Sequence, residues 1–168
     1  ASVDRLVAYA GWADKFQAVL GSNNPVVGPY YNFTVPTATG VTVVVAPDEP
    51  ALLGLVSLIA PVLCAGCTVV AVGSSAHPIA TAVLGEVCAT SDVPAGVVNL
   101  ITGARAELIP NIASHRDVDA ISFGALEADQ TRALRPAPPE NLQRLPASHA
   151  PAPSHLTGPF SSRTAPSP

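Results

Sequence analysis

Residues 49–86 read EPALLGLVSLIAPVLCAGCTVVAVGSSAHPIATAVLGE, and between the two glutamates there is no Asp, Glu, Lys or Arg. His77 is the sole titratable side chain of that interval apart from the thiols of Cys64 and Cys67. The total length would cross a bilayer, but the run is punctuated. Pro61 and Ala65-Gly66 interrupt it, and the apolar helix alone is about 15 residues, short of the ~20 that spanning needs. The punctuation reads as buried helix to about Cys64, buried strand Thr68 to Val72, then a helix opened by His77-Pro78 and running to about Thr90. A strand buried on both faces belongs to a parallel sheet covered by helices. The stretch therefore reads as an α/β core and not as a membrane span.

Working outward, Asp48 or Glu49 opens the first helix with Pro50 in its first turn, where proline is tolerated. Downstream, Val97 to Ile101 reads as a strand, Ala106 to Ser114 as a helix and Asp119 to Phe123 as a strand. Upstream, Val3 to Val19 reads as one helix with Leu6, Val7, Ala10 and Ala13-Phe16 on its apolar face, ended by Ser22-Asn23-Asn24-Pro25. Tyr30 to Val35 and Val41 to Val45 read as two strands of a hairpin joined by the Thr37-Ala38-Thr39-Gly40 turn. From Val41 on, the order is βαβαβαβ. Such alternation predicts an open parallel sheet with flanking helices and right-handed crossovers, preceded by a helix and a β-hairpin.

The patterning divides the chain into residues 1–125 and a Pro/Ser/Ala-rich segment, 126–168. Half of the 18 prolines lie in that second segment. Proline at that density removes backbone donors and blocks helix interiors, so the segment is expected to be a disordered tail. Its abrupt start, and the lack of any methionine, suggest a fragment, a short isoform or an unstable truncated product without a role.

The net charge of −4, with a single lysine at Lys15, excludes a nucleic-acid surface, which needs clustered basic residues. Three cysteines without a secretory signal point to reduced thiols and a cytoplasmic location. Cys64-x-x-Cys67 has redox spacing, but Cys64 falls at a helix C-terminus, where the dipole favours the protonated thiol. The pair also lacks the second half of a zinc site, so no metal is expected. Phosphate-loop, dinucleotide-loop and nucleophile-elbow motifs are absent. Asp117 and Asp119 read as solvated residues at a strand start. Tyr9, Trp12 and Phe16 read as a packing stripe.

Four segments in order resemble the aldehyde dehydrogenase superfamily. Tyr9-Ala10-Gly11-Trp12-Ala13-Asp14-Lys15 resembles its Y-A-G-W-A-D-K helix. Pro47 to Val70 is similar, without gaps, to P-W-N-F-P-L-L…A-P-A-L-A-x-G-N-T-V-V. Pro94 to Gly103 resembles P-x-G-V-V-N-x-V-T-G, and Ser114 to Phe123 resembles S-H-x-D-V-D-x-I-x-F. The resemblance implies the cofactor-binding half of that fold, which in active members holds NAD(P) over a five-stranded Rossmann-like sheet. The nucleophilic cysteine and the general-base glutamate come later in the family sequence than this chain follows it.

The departures bear on function. Glu49 stands where the family places an asparagine that helps hold the developing oxyanion. A carboxylate cannot donate to that oxygen, and loss of one such donor lowers rate by roughly 10²–10³. The turn that holds the adenosine ribose through Lys and Glu reads Val72-Gly73-Ser74-Ser75 here. The family's F-T-G-S continues into a helix that faces the pyrophosphate, whereas Phe123-Gly124-Ala125 enters the tail, so the anion site at that helix start is expected to be missing. By the resemblance, the cofactor-facing positions are Pro47, Asp48, Val72, Ser74, Ser75, Gly103, Phe123 and Gly124, in degenerate form. The expectation is an oxidoreductase-family domain that is catalytically silent and binds NAD(P) poorly or not at all. It is similar to the second, silent domain of family 16 aldehyde dehydrogenases. The alternative role is a non-catalytic interaction or scaffold module. By the resemblance, its partner surface, for another protein or a second copy, would be the Tyr30–Ala46 hairpin.

Overall fold

The computed structural model describes residues 1–134, and the tail expected beyond them lies outside the described residues. Four strands form the central sheet: β3 (Val41–Val45), β4 (Thr68–Val72), β5 (Val98–Ile101) and β6 (Ala120–Phe123), with β1 (Ser22–Asn23) and β2 (Phe33–Thr34) in a separate ribbon. Their order is β5-β4-β3-β6 and every pairing is parallel. The connections are α3 (Ala51–Cys64), α4 (Pro78–Thr90) and α5 (Arg105–Ser114). The expected α/β alternation is therefore present, with each boundary within about two residues, the ordinary uncertainty of helix and strand ends.

The strand sequences explain the sheet. Val41-Thr42-Val43-Val44-Val45 is β-branched throughout, which suits a pleated surface packed on both sides. Alternate side chains feed two cores. Val44, Ala46, Val69 and Ala71 pack with Leu55, Val56, Ile59 and Leu84 from α3 and α4. Val43, Val45, Val72 and Ile121 pack on the other face with Ile109 of α5 and Leu134. Each large side chain buried this way stabilises the fold by about 1.5–3 kcal/mol.

Helix α3 ends in a Schellman motif. Gly66, at φ +80°, donates its N–H to Leu63 O, and Cys67 N–H donates to Val62 O. Glycine takes this left-handed position without a Cβ clash. The cap explains why the uncharged run turns at Ala65-Gly66 and re-enters the sheet as β4.

The N-terminal region differs from the expectation. The single helix is two, α1 (Ser2–Ala13) and α2 (Phe16–Leu20), separated at Asp14-Lys15. Helix α1 packs on α3, and Ser2, Arg5, Tyr9, Gly11 and Trp12 are its partly covered positions, with Phe16 continuing the row. Val3 and Val7 point outward, so the apolar face assigned from Leu6, Val7 and Ala10 is the exposed one.

An antiparallel ribbon does precede the sheet, but its strands are β1 (Ser22–Asn23) and β2 (Phe33–Thr34). Val41 to Val45 pairs with β4 and β6 and makes no hairpin with residues 30–35. The Thr37–Gly40 segment is thus a connection into the sheet. Gly40 sits at φ +128°, and a Cβ there would collide with the Asp119 carboxylate. That carboxylate accepts from Val41 N–H at 2.8 Å, so Asp119 anchors the start of β3 and is more than a solvated edge residue.

At the other end, α6 (Ala128–Leu134) follows β6. Leu134 is fully buried in the second core. The fold therefore extends past the boundary read at residue 125.

Candidate functional site at the carboxyl ends of the strands

The chain enters the sheet at β3, moves outward through β4 to β5, then returns to lay β6 on the opposite side of β3. The order reverses between β3 and β6. In open α/β sheets the crevice outside the carboxyl ends at such a reversal is where ligands bind. All eight cofactor-facing positions read from the sequence lie at or just beyond those carboxyl ends.

Pro47, which follows β3, is buried with its ring against the two glycines of this crevice. A Cβ on Gly54 would come within 2.5 Å of Pro47 Cγ, and one on Gly124 within 2.7 Å of Pro47 Cδ. Two residues without side chains make room for one proline ring at the reversal point. Gly124 N–H donates to Val45 O at 3.1 Å, which ties the end of β6 to β3 just below the ring.

Asp48 comes next, and four donors converge on its carboxylate. Arg105 Nη1 donates to Oδ2 at 2.7 Å and Nη2 to Oδ1 at 2.9 Å. Ser74 Oγ donates to Oδ1 at 2.7 Å, and Ala76 N–H donates to Oδ1 at 3.2 Å. Arg105 Nη2 also donates to Ala46 O at 2.6 Å. The serine is oriented in turn, because its Oγ accepts from His77 N–H at 3.0 Å.

The electrostatics follow from this geometry. Arg105 is only 4% exposed, and it is the first residue of α5, where the helix dipole disfavours a cation. A buried guanidinium in that place needs a paired anion. Burial alone would raise the Asp48 carboxyl. The hydrogen bonds from Arg105, Ser74 and Ala76 and the Arg105 charge outweigh it and bring the group down to about 2.

Glu49 points away from this cluster. Its side chain is 88% exposed and lies 4.0 Å from His77 Nε2 at the rim. Val72 is fully buried in the core below the crevice. Exposed Ser75 donates its hydroxyl to Gly103 O at 3.2 Å, linking the loops after β4 and β5. Phe123 is partly buried against the second core at the end of β6. The structure thus brings Pro47 to Gly124, Asp48 to Ser74, and Ser75 to Gly103.

A helix does follow β6, contrary to the expectation that the chain runs straight from Ala125 into a tail. Glu127 precedes α6 and Asp129 occupies its first turn. Two carboxylates there oppose an incoming anion by like charge.

Arg105 is the residue that sequence reasoning missed. A single arginine at the start of an amphipathic helix reads as a solvated charge. The available signal was its position, since a cation in the first turn of a helix runs against the dipole and calls for a partner.

The thiols stay outside this chemistry. All three cysteines are unpaired. Burial pushes the Cys64 and Cys88 thiols up, while Cys67 Sγ accepts from Thr39 N–H at 3.3 Å. Among the described residues no three His, Cys, Asp or Glu side chains group as a metal site, and no helix is long and apolar enough to cross a membrane.

Comparison with known proteins places this geometry in a family. The model of the aldehyde dehydrogenase family matches residues 1–129. Retinal dehydrogenase 2 of Gallus gallus is 37% identical over 115 residues, which cover 68% of this chain and 22% of that protein. A mutant aldehyde dehydrogenase from Bacillus cereus superposes with a TM-score of 0.74 at 27% identity, over 80% of this chain and 27% of that one. Betaine aldehyde dehydrogenase of Staphylococcus aureus, solved in complex with NAD+, superposes with a TM-score of 0.72 at 27% identity, over 86% of this chain and 30% of that one. The chain spans less than a third of the length of these relatives. From its order of strands and helices to its matched residues, the chain belongs to the aldehyde dehydrogenase family.

Proposed function

We propose that this chain is a catalytically silent member of its family, a pseudoenzyme domain that keeps the fold of the NAD(P)-binding half without oxidising aldehydes. The observation that carries the reading is the state of the strand-end crevice. Its buried cation, Arg105, already commits both Nη groups to Asp48 and Ala46 O, and only its buried Nε lacks a partner. The residues do not fit a dinucleotide. A pyrophosphate needs free donors, and Asp48 presents a carboxylate in their place. A ribose is held in the family by a carboxylate at the Ser75 position, and here a single neutral hydroxyl, tied to Gly103 O, replaces that charged two-oxygen acceptor. Val72, where the family places a lysine, contributes an apolar side chain to the core. Glu49, whose side chain is exposed at the rim, offers a carboxylate that accepts hydrogen bonds where an oxyanion needs a donor.

The direct check is aldehyde-dependent NADH absorbance with the purified chain. The reading requires no signal above the no-protein baseline for short aliphatic and aromatic aldehydes. Turnover by the chain would end it.

A second role is favoured by a separate observation. Val27, Tyr30, Tyr31, Phe33 and Val35, in and around the β1–β2 ribbon, are all more than half exposed. Tyr31 and Phe33 meet as a tilted pair, 5.3 Å between ring centroids and 42° between ring planes. Grouped exposed aromatics of this kind mark protein contacts. The role is then a non-catalytic interaction or scaffold module, with a protein partner or a second copy docked on residues 26–35. This corrects the Tyr30–Ala46 surface, since Val43 to Ala46 are buried in the sheet. A cytoplasmic setting belongs to the same proposal and rests on the unpaired thiols.

A further inference from the structure

We propose that Arg105, Ser74 and the Ala76 N–H form an oxyanion-binding site at the strand-end crevice, and that the chain fills this site with its own Asp48. A phosphate-bearing ligand therefore enters only by displacing that carboxylate. The inference rests on the reading that the wild-type crevice is not a working dinucleotide site, and it goes on to say what holds it closed.

The donor set is that of an anion receptor. A guanidinium fork supplies two parallel N–H groups, the geometry that suits carboxylate and phosphate alike. Ser74 adds a hydroxyl whose own acceptor site is taken by His77 N–H, so its proton is directed at the anion. Ala76 adds a main-chain N–H just before α4, and Arg105 begins α5, so two helix starts flank the anion. Ser74 and Arg105 are 2% and 4% exposed, whereas the Asp48 side chain is 45% exposed. The receptor is thus built into the fold, and the anion sits on its solvent side.

Asp48 is also placed to move. It lies in the short connection between β3 and α3, outside both elements. Rotation of its side chain toward water would uncover four donors without breaking a strand or a helix. The buried Arg105 would then require another oxyanion in the same place. Glu49 and His77 are titratable groups at this rim and both are exposed, while Glu127 and Asp129 stand at the start of α6 beyond β6.

The test uses the full chain and inorganic phosphate as probe, with chloride at matched ionic strength as reference. The variants are Asp48→Ala and Asp48→Ala/Arg105→Met. Melting temperature and ³¹P line width of the phosphate are read together. Asp48→Ala is expected to melt lower than wild type in chloride and to recover saturably with phosphate. Its apparent phosphate affinity should be at least tenfold above wild type, with a broadened phosphate line. The double variant should lose both responses. If Asp48→Ala does not fold in chloride, restoration of a cooperative melt by phosphate supports the site, and failure at tens of millimolar phosphate overturns it. A response equal to that of wild type, or one retained in the double variant, also overturns it. Binding of NAD by the wild-type chain would instead overturn the silent reading and leave the phosphate result on Asp48→Ala to stand or fall by itself.

Discussion

The body of the sheet and its mouth are held by different physics. Below the carboxyl ends, Val43, Val44, Val45, Val69, Ala71, Val72 and Ile121 are at most 2% exposed and carry no charge. That region depends on apolar burial, which is spread over many contacts and insensitive to pH. A few ångströms beyond, the mouth depends on one buried arginine, one carboxylate and a proline fitted between two glycines. On the proposed reading, the crevice is closed from within while the layers that position it stay intact. The core sets the family and the mouth sets the function, so the two regions should fail separately.

The largest effect should come from the core. Ile121→Ala removes a fully buried side chain from the strand at the sheet reversal, and denaturant melts should show a loss of about 2–5 kcal/mol. A loss well below that range would mean that the sheet centre is looser than its packing indicates.

Next is the proline seat. Gly124→Ala drives a Cβ into the Pro47 ring and should cost about 1–3 kcal/mol. The same measurement on Gly11→Ala, where a Cβ meets no heavy atom within 4 Å, should show no such loss. Equal effects at the two sites would erase the special fit assigned to the reversal point.

The smallest effect should be the pH response of the mouth. The Asp48 carboxyl is held at about 2 against an ordinary 3.8. A depressed folded value contributes stability that is present above the unfolded value and lost as pH falls. The loss should therefore run from about pH 4 down to pH 2. Because Asp48 is partly exposed and screened, its size should be on the order of 1 kcal/mol. Asp48→Asn should flatten that segment of the stability profile. An unchanged slope in the variant would assign the acid response to other carboxylates.

Much of the fold was legible because its signals are local. Uncharged β-branched runs, the Ala65-Gly66 stop and the His77-Pro78 start each specify one boundary. The ribbon was misread because residues 30–35 and 41–45 both carry strand signals on either side of a Gly-containing turn. What assigns Val41 to the parallel sheet is long-range, namely the Asp119 carboxylate on its N–H and the pairing with β6. Helix α6 was missed because the prolines from Pro136 onward coloured the reading of residues 126–134, which contain none. At the mouth, the positions of Pro47, Ser74, Ser75 and Gly124 were readable through the family resemblance. The ion pair was not, since Asp48 and Arg105 are far apart in the chain and meet only when β3 and α5 share one end of the sheet.

The most direct test of the closed mouth is calorimetric titration of the full wild-type chain with NAD+, followed by a thermal melt at the highest concentration reached. The account predicts no saturable heat up to millimolar cofactor and an unmoved, cooperative melt. Saturable binding with a rise in melting temperature would contradict it, because a ligand that stabilises the native state must have found a site there.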